Sequence, residues 1–323
     1  MKYINDTKIS KIGLGTGRFG TRVSETLSFD MLDCFYENGG TLIDTARNYY
    51  EWVENGRGKS EECLGKWLDS RGNRNKICLS TKCGVRNEGK NWFINLSKEN
   101  LCQELCESLE ALRTDYIDIY LLHRDEPDRP AEEIIETMQY LKEKGRVGII
   151  GASNWSTERI KRANAYAVEH GMEPFRTVQT WWSLAEYKYE MWDDPNTTHM
   201  DSELYSYMSG SGMFAMAYTS QCKGFFQKAI TKGLENIDEF LKRRIVTESN
   251  LKRLDYIREY CGKRNVSPTA VVSGYITSNA LEGTALVSCS NIEQLIDILD
   301  NCDYELEKDV ISLSLIHISE PTR

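Results

Sequence analysis

Nowhere does the sequence hold an unbroken apolar run near the ~20 residues that a membrane-spanning helix needs. Basic charge is also short: 40 Lys and Arg face 49 Asp and Glu, a net charge of −9. That balance argues against a general nucleic-acid or anionic-membrane surface, although it permits a small anion held locally. Histidine is scarce, with only His123, His170 and His199 before position 313. A metal-dependent barrel hydrolase needs several histidines and carboxylates at strand ends, and these three are too few and too scattered. The 10 cysteines include no CxxC pair. Cys34, Cys63, Cys78 and Cys289 sit inside apolar patterns and read as reduced core thiols, while Cys102 and Cys106 share one helical face. The polar start "MKYINDTKIS" lacks the apolar stretch of a signal peptide, so the expected location is cytoplasmic.

What is present is a globular composition, 28% charged and 40% hydrophobic over 323 residues, a length suited to one α/β barrel. Short apolar or β-branched runs lie near Lys11–Gly15, Thr41–Asp44, Ile77–Thr81, Ile117–Leu122, Gly148–Ala152, Thr177–Gln179, Met213–Ala217 and Thr284–Val287. Helix-like segments separate them, such as Ser28–Glu37, which ends at Gly39 and Gly40, and Lys98–Leu112, with leucines at 101, 105, 109 and 112. Eight such units in order predict a parallel sheet closed as a (β/α)8 TIM barrel. At the C-terminal ends of the runs stand Thr16, Asp44, Lys82, His123, Ser153 with Asn154, Gln179, Tyr218 and Ser288. Polar groups gathered at that end are what a barrel active site is made of.

"GTGRFG" at Gly15–Gly20 matches the dinucleotide fingerprint G-x-G-x-x-G, with Asp44 as a candidate ribose-binding acid. In a doubly wound fold those glycines open a helix. Here "TRVSETLS" follows, and Ser24 and Ser28 offer helix starts only several residues later. That alternative also leaves Lys82 and His123 without roles. The closing stretch "LSLIHISEPTR" is unlike the acidic helical pattern before it and resembles the translation of a sequencing-library adapter. A single barrel domain is therefore expected over 1–312, with 313–323 a non-native tail and the natural C-terminus missing.

From "KIGLGTGRFG" to "SNIEQLIDIL" the chain resembles the aldo-keto reductase family, through "DTARNY", "GKSEECLGKWL", "LSTKCG", "SLEALRTDYIDIYLLH", "GASNW" and "VQTWWSLA". The resemblance implies a (β/α)8 barrel and reversible hydride transfer between NADP or NAD and a small carbonyl or alcohol substrate. It makes Tyr49, five positions after Asp44, the general acid. A phenol with an ordinary pKa near 10 donates reluctantly to solvent but usefully to a developing alkoxide. Lys82 would lower that pKa, Asp44 would pair the buried ammonium, and His123 would orient the substrate oxygen. Taken singly, these four also read as a salt bridge, a core histidine and a rim aromatic.

For the cofactor, the resemblance assigns Ser153, Asn154 and Gln179 to the nicotinamide carboxamide and Tyr218 to its ring face. Thr16 and Gly17 belong to the first strand-end loop, and Ser220 and Gln221 to the loop that passes the pyrophosphate. Ser288, Cys289 and Gln294 stand where NADPH-preferring members usually carry basic residues for the 2′-phosphate, and none of the three is basic. Asp297 matches the adenine-contacting acid, followed by Ile298 where asparagine is usual. NADP preference is therefore expected to be weak.

The connection Trp181–Ser211 carries Trp181, Trp182, Trp192, Asp193 and Asp194, and reads equally as a substrate pocket or as a small apolar core pinning the loop. Some family barrels act instead as cofactor-binding regulatory subunits of membrane channels, the alternative to an enzyme. Oligomeric state is not legible, because a closed barrel has no sheet edge that demands a partner.

Overall fold

Each of the eight expected runs forms a strand in the computed structural model, which describes residues 1–88, 91–191, 194 and 196–315. In chain order the strands are β1 (Lys2–Ile4), β2 (Thr7–Ile9), β3 (Ile12–Gly15), β4 (Leu42–Asp44), β5 (Cys78–Cys83), β6 (Val85–Glu88), β7 (Asn91–Ile94), β8 (Ile117–Leu122), β9 (Val147–Ser153), β10 (Thr177–Trp181), β11 (Phe214–Tyr218) and β12 (Gly283–Val287). β3, β4, β5 and β8 to β12 form a closed barrel with every pairing parallel. Closure joins the last strand to the first, Ala285 opposite Ile12.

Alternation along the strands divides the apolar residues into two cores. On β8, Tyr120 and Leu122 join the large layer between barrel and helices, whereas Ile119 and Leu121 belong to a small inner cluster with Leu42, Cys78, Ile149, Phe214, Met216 and Leu286. Ile4 and Ile9 complete that inner cluster. They come from the antiparallel hairpin β1–β2, which floors the barrel at the N-terminal ends of its strands. The eight expected runs include neither this hairpin nor a second one, β6–β7.

Helix ends follow local chemistry. Ser24 accepts from the Leu27 amide and starts the helix Glu25–Glu37, so the expected start at Ser28 is three residues late. Ser28 instead bonds back to the Ser24 carbonyl from inside the helix. The helix is thus separated from Gly15 by an irregular loop, against the doubly wound reading. The connection expected as Trp181–Ser211 is shorter: Trp181 ends β10, and a helix covers Ser202–Ser211, capped by Asp201. Trp192 and Asp193 lie outside the described residues, as does the tail from 316 onward.

One close approach gives a stability test. A Cβ on Gly65, in the helix Lys59–Arg71, would lie 2.2 Å from the Ala111 carbonyl oxygen at the end of the helix Lys98–Ala111. Backbone cannot yield as a flexible side chain does. Gly65→Ala is expected to destabilise the fold by about 1–3 kcal/mol, the usual cost of overpacking, read as a lower denaturant midpoint with unchanged slope.

Candidate active site

Every catalytic candidate comes from the C-terminal rim of the barrel. Asp44 ends β4, Lys82 lies near the end of β5, His123 follows β8, and Tyr49 sits in the loop after β4. That loop is fastened by charge: Arg47 reaches Glu61 and Glu107, both at 3.3 Å. Thr16 and Thr45 each meet the Ser60 hydroxyl at 2.8 Å, tying the first two strand-end loops together.

Lys82 is 1% exposed and uses all three of its N–H donors, on Asp44 Oδ2, the Thr45 carbonyl and Tyr49 Oη, each at 2.7 Å. Asp44 accepts four bonds. Its Oδ1 takes Ser80 Oγ and Gln179 Nε2 at 2.9 Å, while Oδ2 takes Lys82 and, at 3.3 Å, the Tyr49 hydroxyl. The last distance is long for an O–H donor, so Asp44 holds the phenol proton only weakly. The His123 ring meets the Tyr49 ring edge-on at 5.9 Å, and its Nδ1 is buried with no partner.

The net shift of the phenol pKa runs opposite to the lowering expected from Lys82 alone. Burial, reinforced by the neighbouring Asp44 carboxylate, holds the Tyr49 phenol well above its ordinary range. The phenol therefore stays protonated at neutral pH, the form a proton donor needs. Burial also pulls the Lys82 ammonium down, with Asp44 opposing it. His123 is pushed well below its usual range by burial, then by Arg124 and Lys82, and is neutral.

A groove of about 560 Å³ runs from Tyr49 along the ends of β3, β11 and β12. It is lined by Gly17, Tyr218, Ser220, Gln221, Ser288 and Gln294 among the predicted cofactor residues. The Ser220 hydroxyl is engaged elsewhere, donating to the Leu286 carbonyl. Thr16, Ser153, Asn154, Gln179 and Asp297 do not line it. Asn154, with a left-handed φ of 59°, instead accepts the Tyr218 hydroxyl at 2.7 Å and donates to Ser153 Oγ, so it fixes the tyrosine ring. Gln179 is tied to Asp44, and Asp297 lies exposed on the helix Ile292–Asn301, accepting from Thr269 Oγ1.

Sequence reasoning missed the cations of this groove, Arg18, Lys223 and Lys228. Arg18 Nη1 donates to Ser290 Oγ at 2.9 Å, which brings positive charge to the loop after β12 from across the groove. The signal was in view, since Arg18 lies inside "GTGRFG" and the lysines flank "GFFQ". Thr219, Cys222 and Lys223 all have positive φ, strain of a kind found at ligand clamps. Three cations, glycine backbone at Gly15 and Gly17, and the Tyr218 ring form a donor set that fits a nicotinamide dinucleotide, with its two phosphates and flat ring.

Trp182 is core, packed edge-on against Tyr205 and Tyr275, whereas Trp181 packs against Tyr187, Tyr189 and Tyr218 beside the site. All ten cysteines are free. No metal-binding cluster and no helix long and apolar enough to cross a membrane occur among the described residues.

A closed parallel barrel with Asp, Tyr, Lys and His converging at its C-terminal rim defines a (β/α)8 enzyme scaffold. The chain belongs to the aldo/keto reductase family, whose profile matches residues 11–314. Membership supports NAD(P)-dependent oxidoreduction, as do the relatives' names. The aldo-keto reductase YhdN of Bacillus subtilis is 31% identical over 72% of this chain and 66% of its own length. Norsolorinic acid reductase of Aspergillus flavus is 34% identical over 55% of the chain, which spans only 48% of that relative. The putative aryl-alcohol dehydrogenase AAD3 of Saccharomyces cerevisiae is 27% identical over 96% of the chain and 87% of its own length.

Proposed function

We propose that the protein reduces aryl aldehydes or ketones to alcohols, reversibly, with Tyr49 as the general acid. The observation that carries this reading is the phenol itself, raised in pKa by burial and bonded to the Lys82 ammonium at 2.7 Å. When bound, NADPH or NADH supplies the hydride. Tyr49 gives its proton to the carbonyl oxygen, and Lys82, anchored by Asp44, stabilises the phenolate left behind. Neutral His123 donates one N–H to the same oxygen and aligns it. The aromatic choice rests on the Trp181, Tyr189 and Tyr218 rings beside the groove, and on two relatives whose names specify norsolorinic acid and aryl alcohols.

The test follows reduced-nicotinamide absorbance with benzaldehydes, aryl ketones and aldoses, using each cofactor separately. Turnover on the aryl series is expected. Cofactor binding without turnover on any carbonyl would instead return the regulatory-barrel reading.

Cofactor choice yields a further prediction. Arg18 is the one cation bonded to the loop after β12 among the described residues. A charge-assisted contact contributes about 1.5–3 kcal/mol, so NADPH is expected to be preferred by no more than roughly a hundredfold. Arg18→Met should bring the two Michaelis constants close to parity. A thousandfold preference for NADPH in the unaltered protein would sink the idea.

A further inference from the structure

Next to the reacting groups lies a cation that the proposed reaction leaves unused. Arg124 follows His123 beyond the end of β8, and its side chain is only 9% exposed. Its Nη1 donates to the His123 carbonyl at 2.8 Å and its Nη2 to Asp194 Oδ2 at 2.5 Å. Nε is buried and has no hydrogen-bond partner. The Trp92 ring lies 5.4 Å from the guanidinium carbon. A guanidinium matches a carboxylate best through two parallel N–H bonds, yet this one reaches its counter-ion through a single nitrogen.

The two partners differ in how easily they can leave. Asp194 is 21% exposed and can return to water, whereas Arg124 is enclosed and would be stranded without an anion. An arriving anion can therefore replace Asp194, while the cation stays. Arg124 directly follows His123 in the chain, and its positive charge favours the ionised forms of the Tyr49 and Tyr218 phenols.

We propose that Arg124 is a specificity-determining residue that binds a carboxylate carried by the carbonyl substrate, with Asp194 holding the place until the substrate arrives. The proposal rests on the reductase reading for its substrate, but the anion site can be measured without turnover.

The test compares kcat/KM for 4-carboxybenzaldehyde and benzaldehyde in the unaltered protein, Arg124→Gln, Arg124→Lys and Asp194→Asn, and titrates benzoate into each full-length chain by calorimetry. The carboxylated aldehyde should be preferred. Arg124→Gln should lower that preference roughly tenfold to a hundredfold, the worth of a charge-assisted bond, and weaken benzoate binding by a similar factor. Arg124→Lys should lie between, keeping the charge without the fork. Asp194→Asn should strengthen benzoate binding, because it removes the competitor.

A preference that ignores both positions, or equal losses on the two aldehydes, would overturn the proposal and make the pair a loop fastening. Failure of both aldehydes in the unaltered protein would remove the reductase reading, while the benzoate titrations would still decide for or against Arg124. If Arg124→Gln does not fold, the opposite shifts expected of Arg124→Lys and Asp194→Asn carry the decision.

Discussion

Tyr49→Phe is expected to lower kcat for carbonyl reduction by roughly 10²–10⁴-fold, the contribution of a positioned acid, while the dissociation constant for the cofactor hardly changes. The ring that lines the groove remains, and only the hydroxyl bonded by Lys82 and weakly by Asp44 is lost. Direction matters as much as size. Because burial and Asp44 raise the phenol pKa, the proton is present throughout the neutral range, and reduction should not lose its donor as pH rises toward 9 or so. Alcohol oxidation needs the phenolate, so its rate should climb with pH over the same window. In Tyr49→Phe that climb should vanish. Stopped-flow single turnovers in both directions, beside fluorescence titration of the cofactor, would check it. A mutant that keeps a tenth of its activity would remove Tyr49 from the proton-donor role.

Asp44→Asn is expected to lower stability by about 3–5 kcal/mol, the usual result of stranding one member of a buried ion pair. The wild-type carboxylate accepts from Ser80, Gln179, Lys82 and Tyr49. An amide must aim an NH₂ at one of these donor pairs and leaves the Lys82 ammonium, 0% exposed at its side chain, without its anion. Adding Lys82→Met should recover part of the loss, since the unpaired charge is then gone, and chemical denaturation of the single and double variants would measure the coupling. A single variant within 1 kcal/mol or so of wild type would show that Asp44 does not carry this network.

The barrel was readable because each strand is short, apolar and followed at once by a polar group, a local pattern. The two hairpins were not, because each strand offers only three or four residues and the signal is a turn; at Asn5 it includes a φ of 50°. The helix Ser202–Ser211 passed for loop because it buries only Leu204 and Met208, too few to show a helical stripe. Within the site, residue identities were legible from motif spacing, but partnerships were not. That Gln179 serves Asp44, and that Asn154 braces Tyr218, depends on strands far apart in the chain. The direction of the Tyr49 shift was missed for the same reason: burial and the approach of Asp44 are properties of the fold.

Barrel closure also bears on how the chain reaches its folded state. β3 has its full set of neighbours only when β12 arrives, so Ile12 waits for Ala285, more than 270 positions later. Emerging from the ribosome N-terminus first, the early strands have an unpaired edge for most of synthesis. Contacts of such long sequence separation slow folding, because the loop must close before the pairing rewards it. The hairpin β1–β2, by contrast, pairs residues only a few positions apart, and its Ile4 and Ile9 pack with both Leu42 and Leu286, from strands near the two ends of the chain.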